Sequence, residues 1–269
     1  MRLLFSEANS DYDHYIFPYA IWALPEEGEE PWQIMEKGFL PGAYNLERFY
    51  LCRQIRVDLA SFELSSENRR ILRKGEGIEQ RLVPRKDFEF TPERREFFKT
   101  YADIKFGKDI MTNEKLDRLF AAPVVSHVLL FTDNKTGREV GAVTLYLAPK
   151  KLAYYYYSFY DLNYYARNLG MYMMTSAVDT FSRAEYRHLY LGTCYSRAAL
   201  YKAQFKGAEF FNGFTWSKNL KELNYMIERD QSTATQHLCE SVEYRELFWD
   251  VSVQKTAERS AFRISLKGG

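Results

Sequence analysis

Hydrophobic residues recur along this chain at two spacings, and the switch between them is sharpest from Tyr154 to Trp216. An aromatic run, YYYYSFY, ends at Asp161. A turn carrying Arg167, Asn168 and Gly170 follows, and Leu169, Met173, Ala177, Val178 and Phe181 then fall at helical spacing. A second run, Tyr186 to Thr193, leads into a short segment bearing Tyr201, Lys202, Phe205 and Glu209. Strand, turn, helix, strand is the reading. It sets the free N–H groups of a helix start, beside an arginine, at the end of a sheet, where an anion is readily held.

Upstream the signals are shorter. Residues 1 to 45 combine Pro18, Pro25, Pro31 and Pro41 with an acidic run, which predicts loops and a short helix around Trp32 to Lys37. From Arg48 to Phe62, Ile55, Val57 and Leu59 alternate with Arg56, Asp58 and Ala60, the pattern of a half-buried strand. Ser65 is placed to cap a helix in which Glu67 to Lys74 carries Arg69, Arg70, Arg73 and Lys74 on one side. That basic patch is either an ordinary solvated face or a contact for nucleic-acid phosphates, which bind such side chains largely without regard to sequence. Ile78 to Val83 reads as a strand closing a first βαβ-like unit. Thr91 and Pro92 start a helix reaching about Phe106, and a smaller one spans Asn113 to Phe120. Val124 to Thr132, Val140 to Ala148 and Leu152 to Tyr160 form an antiparallel meander with turns at Asp133 to Gly137 and Pro149 to Lys151. After Trp216 a helix is expected over SKNLKELNYMIERD, Ser232 to Asp250 is ambiguous, and Phe262 to Leu266 is a candidate last strand.

Composition narrows the field. With 37 Lys and Arg against 36 Asp and Glu, the net charge of +1 demands no polyanionic partner, so charge has to be judged locally. No apolar run approaches the ~18 residues of a membrane span, and the broken, acidic N-terminus is unlike a signal peptide, so a cytoplasmic chain with no membrane partner is expected. Three scattered cysteines, Cys52, Cys194 and Cys239, give free thiols rather than a disulfide framework or a metal site. The 21 Tyr and 20 Phe either pack a sheet or present rings on which unpaired bases stack.

Common enzyme signatures are missing: there is no Walker loop, GxSxG or HExxH, and His127 and His188 sit in predicted strands as packed residues. Cys194 follows a strand but has no partner base in the pattern. The turn Arg167-Asn168-Leu169-Gly170-Met171-Tyr172 resembles the loop with which GCN5-like acyltransferases hold the coenzyme A pyrophosphate. Tyr172 replaces a small residue there, which is expected to crowd that site and favour another acyl donor.

Three longer runs sharpen the resemblance: FYDLNYYARNLGMY, YLG at Tyr190 to Gly192, and YKAQFKGAEFFNGFTW. With EKGF at Glu36 to Phe39, CRQIRVDLASF at Cys52 to Phe62 and SSENRRILRK at Ser65 to Lys74, the chain resembles, in order and across roughly residues 15 to 217, the arginyl-tRNA protein transferases and the bacterial aspartate/glutamate leucyltransferases. The resemblance implies an α+β, GCN5-like acyltransferase fold with a mixed, largely antiparallel sheet flanked by helices. It implies an N-terminal subdomain (1–110), a catalytic subdomain (111–217, with only a soft boundary near residue 110) and an extension (218–269). It also implies transfer of arginine or leucine from aminoacyl-tRNA, with no further cofactor, to the N-terminal amine of proteins starting with Asp or Glu, marking them for degradation. Mapped onto this sequence, Arg69, Arg70, Arg73 and Lys74 hold acceptor-stem phosphates, and Arg167, Asn168 and Gly170 hold the 3′-terminal nucleotide. Lys202, with Tyr201 and Phe205, meets the acidic first side chain, and Glu209 or Asp161 takes the ammonium proton. The chain departs from the family where Phe49 stands in place of a cysteine partner for Cys52, so metal binding is not carried over. An acetyl-CoA-dependent N-acetyltransferase and a non-catalytic binder of acidic N-termini remain alternatives.

Overall fold

The computed structural model describes residues 1–232 and 236–262; the last expected strand, Phe262 to Leu266, lies from residue 263 onward outside the described residues. The N-terminal segment is not a run of loops. β1 (Arg2–Glu7), β2 (Tyr19–Leu24), β3 (Phe39–Pro41) and β4 (Phe49–Leu51) form a four-stranded antiparallel sheet in the order β1-β2-β4-β3, with α1 (Pro31–Glu36) where a short helix was expected. β1 is exposed on both faces, so its sequence carries none of the alternation by which a half-buried strand is recognised.

The larger sheet collects β5 (Gln54–Asp58), β6 (Ile78–Pro84), β7 (His127–Asp133), β8 (Arg138–Ala148), β9 (Leu152–Tyr160), β10 (His188–Thr193), β11 (Ala208–Phe211) and β12 (Trp216–Ser217) in the order β12-β11-β5-β10-β9-β8-β7-β6. Between them run α2 (Ser66–Lys74), α3 (Pro92–Lys105), α4 (Asn113–Ala121) and α5 (Leu169–Arg183), and α6 (Leu220–Arg229), α7 (Val242–Phe248) and α8 (Val253–Glu258) follow. The expected helix starts are made: Ser65 accepts from the Asn68 N–H and Thr91 from the Arg94 N–H. The meander β7-β8-β9 pairs antiparallel throughout, whereas β9 and β10 are parallel, joined through α5. This is the mixed, largely antiparallel sheet flanked by helices expected above.

Two expectations about the first half are corrected. Arg48 to Phe62 is not one strand: it breaks at Cys52 and Arg53, β4 joining the small sheet and β5 the large one. β5 lies inside the large sheet with Gln54 to Val57 buried, so its two faces are both covered. Nor do β5 and β6 form a neighbouring βαβ unit, because four strands separate them.

Alternate residues of the strands feed opposite sides of the sheet. Leu129, Phe131, Val143 and Leu145 pack against Leu169, Met173, Ala177 and Phe181 of α5, together with Leu223 and Ile227 of α6. Val128, Leu130, Ala142 and Phe159 pack on the other side against Phe98 and Ala102 of α3 and Leu116 and Leu119 of α4. Strands from both sides of residue 110 thus share one sheet, and Tyr244 and Trp249 of the last segment are buried in the α5-side core.

Candidate functional site

The parallel pair β9 and β10 is the point from which the site is built. Their register runs only from Leu152/His188 to Tyr154/Tyr190; β10 then shifts register against β5 between Tyr190 and Gly192, while β9 continues to Tyr160 paired with β8 alone. The carboxyl ends of the two strands therefore splay, and a parallel crossover leaves a ligand crevice at that edge. A cavity of about 290 Å³ fills the notch. Tyr155, Ser158 and Tyr160 line it from β9, Gly170, Met171 and Met174 from α5, Tyr101 from α3 and Tyr201 from the 3₁₀ segment after β10. Because α3 and α5 cover opposite faces, the notch runs through the sheet. No carboxylate is among these lining residues. Burial raises the pKa values of Tyr101, Tyr155 and Tyr201, which stay neutral phenols able to donate a hydrogen bond.

The start of α5 faces the same cavity. Asn168 sits in the left-handed region (φ 53°, ψ 47°) and offers no side-chain cap, so the first N–H groups of a 15-residue helix are left without side-chain partners. Gly170 is required by closeness: a Cβ there would stand 2.7 Å from the Tyr160 hydroxyl. Tyr172 does not crowd this opening, against expectation. Its ring is buried beneath Gly75, where a Cβ would come within 2.0 Å of it, and its hydroxyl donates to the Ile78 carbonyl at 2.9 Å.

Arg167 is not free for an anion. Its Nε donates to the Lys74 carbonyl at 3.1 Å, Nη2 to the Glu76 carbonyl, and Nη1 stands 3.4 Å from Asp133, which also accepts from the Tyr164 hydroxyl at 2.6 Å. The arginine thereby ties the end of α2 to the turn before α5. That brings the basic face of α2 beside α5, with Arg69, Arg70, Arg73 and Lys74 exposed. Arg70 is paired with Glu67 (2.5 Å) and Arg69 reaches the Leu64 carbonyl (2.6 Å), so Arg73 and Lys74 carry the freer charges.

On the β10 side, Lys202 donates to the Thr193 carbonyl at 2.9 Å and lies 6.0 Å from the Tyr201 ring centre. Among the described residues it has no ion pair, and burial lowers its pKa. Phe205, expected beside it, is buried in the core with its edge on Phe62. Glu209 is likewise not in the notch. It is buried beside Arg56, accepting from Nε at 2.8 Å, with Lys218 at 3.4 Å; Arg56 in turn stacks 3.7 Å over Trp216. Its carboxylate is a counter-ion. Asp161 lines a second, larger cavity next to the notch, accepts from the Asn163 N–H at 2.9 Å and lies 3.7 Å from Arg138. Cys194 is fully buried, and burial raises its thiol pKa.

Of the residues singled out in the sequence, Asn168, Gly170 and Tyr201 line this opening and Lys202 does not, while Tyr101, Tyr155, Ser158, Tyr160, Met171 and Met174 were missed. The strand and helix residues stand close to the turn that was singled out. Tyr101 arrives from a separate helix and carries no local signal.

The architecture is a mixed, largely antiparallel sheet flanked by helices. No protein-family model matches the chain. Curated proteins named aspartate/glutamate leucyltransferase are similar to it: that of Methylorubrum populi is 27% identical over 172 residues (59% of this chain, 68% of that protein). The Granulibacter bethesdensis protein is 29% identical over 171 residues (61% and 62%), and one from Cereibacter sphaeroides 24% over 174 residues (61% and 61%). The chain thus spans 61 to 68% of the length of these relatives. Among solved structures, it resembles the C-terminal domain of a protein assigned as a lysylphosphatidylglycerol synthetase from Agrobacterium fabrum, with a TM-score of 0.44 at 13% identity, covering 67% of this chain and 51% of that one. FemX is similar at a TM-score of 0.39 and 11% identity, covering 53% and 52%. Among the described residues, no helix is long and apolar enough to cross a membrane.

Proposed function

We propose that the protein transfers leucine from leucyl-tRNA to the N-terminal amine of polypeptides beginning with Asp or Glu, the chemistry meeting in the notch between β9 and β10. The observation that carries this reading is the lining of the notch: methionines, tyrosines and small polar groups, with no carboxylate among them. A leucyl side chain suits such a wall. An arginyl group buried there would lack the anionic partner that its guanidinium requires. The similarity to curated leucyltransferases supports the same choice of donor.

In this account Arg73, Lys74 and their neighbours on α2 draw the acceptor stem of the tRNA toward α5, and the N–H groups at Leu169 to Met171, which have no side-chain cap, hold a phosphate of its 3′ end. The ester then lies in the notch. Lys202 meets the acidic first side chain of the acceptor, a charge-assisted contact that fixes the amine beside the ester carbonyl. An α-amine of pKa ~8 is partly neutral at physiological pH, so a modest base is enough; Asp161 is the carboxylate carried forward for that role and Glu209 is not. Neutral tyrosine hydroxyls stabilise the oxyanion of the tetrahedral intermediate. The ester bond breaks, an amide forms, and the tRNA leaves with its 3′-hydroxyl restored. The added leucine then serves as a degradation mark, as the family resemblance implies.

The test is to mix the protein with labelled leucyl-tRNA or arginyl-tRNA and peptides starting with Asp, Glu or Ala. Label on the Asp and Glu peptides from leucyl-tRNA alone is expected. Label from arginyl-tRNA would reverse the donor, and coenzyme A binding with no transfer would return the acetyltransferase alternative.

A further inference from the structure

The second cavity, of about 770 Å³, shares Tyr101 and Tyr160 with the notch, whose rings stand 4.7 Å apart and form the common wall. It lies between one face of α3 and the ends of β8 and β9, with Phe97, Ile104 and Leu162 contributing apolar surface. Its charge is unbalanced. Arg94 is paired with Glu139 at 2.6 Å, and Arg138 lies 3.7 Å from Asp161. Glu89 and Glu93 remain at the exposed rim with no cationic partner among the described residues. The basic face of α2 belongs to a different part of the surface, beside α5.

We propose that this groove binds the acceptor polypeptide beyond its first residue, favouring a chain with a cationic residue at its second or third position. The inference rests on the proposed transfer reaction for the identity of the occupant. Continuity with the notch means that a chain whose amine reacts there has this trough as its way out. The charge decides between the two substrates: surplus carboxylates repel a polyphosphate strand and attract lysine or arginine, while the apolar floor takes the aliphatic stems of those side chains. Tyr101 and Tyr160 then divide a pocket for the acidic first residue and the ester from a groove that reads the second and third residues.

The experiment uses the full chain with leucyl-tRNA and two fluorescent peptides, Asp-Lys-Lys-Ala-Ala and Asp-Glu-Glu-Ala-Ala, measuring both kcat/KM for transfer and direct binding by anisotropy. The lysine peptide is expected to be favoured about tenfold, the effect of two exposed ion pairs. Glu89→Gln with Glu93→Gln, both exposed and both keeping side-chain length and an amide oxygen that accepts as the carboxylate does, is expected to reduce the preference to about twofold or less. Equal transfer to both peptides, or a preference untouched by the double variant, would overturn the groove while leaving the transfer reaction standing. A charge preference in binding that the double variant removes, with no transfer to either peptide, would support the groove as a peptide site and sink the reaction instead.

Discussion

Replacing Glu209 with leucine separates a structural carboxylate from a catalytic one. The Arg56 and Glu209 side chains are 10% and 11% exposed, their contacts are 2.8 Å, and among the described residues no other acid is paired with Arg56. Removing one partner of such a pair leaves a buried charge uncompensated and costs about 3–5 kcal/mol, whereas replacing both by apolar groups is close to neutral. Lys218 is 61% exposed and adds little. For a domain of this size ~1 kcal/mol corresponds to roughly 2–4 °C, so Glu209→Leu should lower Tm by about 6–20 °C. Adding Arg56→Met should recover most of that, short of the ~1–2 kcal/mol that stacking of Arg56 on Trp216 contributes. The assay pairs urea or thermal unfolding with leucyl transfer per folded molecule. A double variant that folds like the parent and transfers within about threefold of it fits a counter-ion role. A well-folded double variant slowed a hundredfold would refute the reasoning and return Glu209 to the chemistry.

Other substitutions probe the notch and its supports. Gly170→Ala, which sets a Cβ against the Tyr160 ring edge and hydroxyl, should cut transfer at least about tenfold while leaving stability within ~1 kcal/mol, and Tyr160→Leu in the same chain, which removes that ring, should restore part of the rate. Arg167→Met removes the tie from Asp133 to the end of α2 and should cost roughly 1–3 kcal/mol, with faster amide exchange in residues 74–78. His188 is buried beside Arg56, and burial, then that guanidinium, lowers its pKa to about 3. An unfolded histidine titrates near 6.5, so the chain takes up this proton only on unfolding: the stability is complete above that pH and declines as pH falls toward 3, by about 2 kcal/mol at pH 5. His188→Gln should flatten that part of the pH profile in urea unfolding, and an unchanged slope would contradict the assignment.

How much of this was legible in the sequence depended on how local the determinant was. Ser65 and Thr91 announced their helices because a cap is made within three residues. The meander was visible because its strands are joined by short turns, and the start of α5 because the period changes there. What stayed hidden required distant partners. β5 alternates in sequence, yet Arg56 is buried because Glu209 and Trp216 come to it from β11 and β12. Arg167 looked like an anion ligand, and is occupied by carbonyls some 90 residues away in sequence. Tyr172 looked obstructive because the pattern does not show that Gly75 makes room for its ring. The notch itself follows from a register shift in β10, which no spacing of apolar residues encodes.

The central claim is that the gap between β9 and β10 receives the aminoacyl end of the donor. A non-hydrolysable amide analogue, leucyl-3′-amino-3′-deoxyadenosine, makes that directly measurable by hydrogen exchange on the full chain. The account predicts slower exchange at residues 155–160 and 168–172 on binding, and a weaker effect with the arginyl analogue. Protection confined to other segments, or equal protection by both analogues, would contradict it.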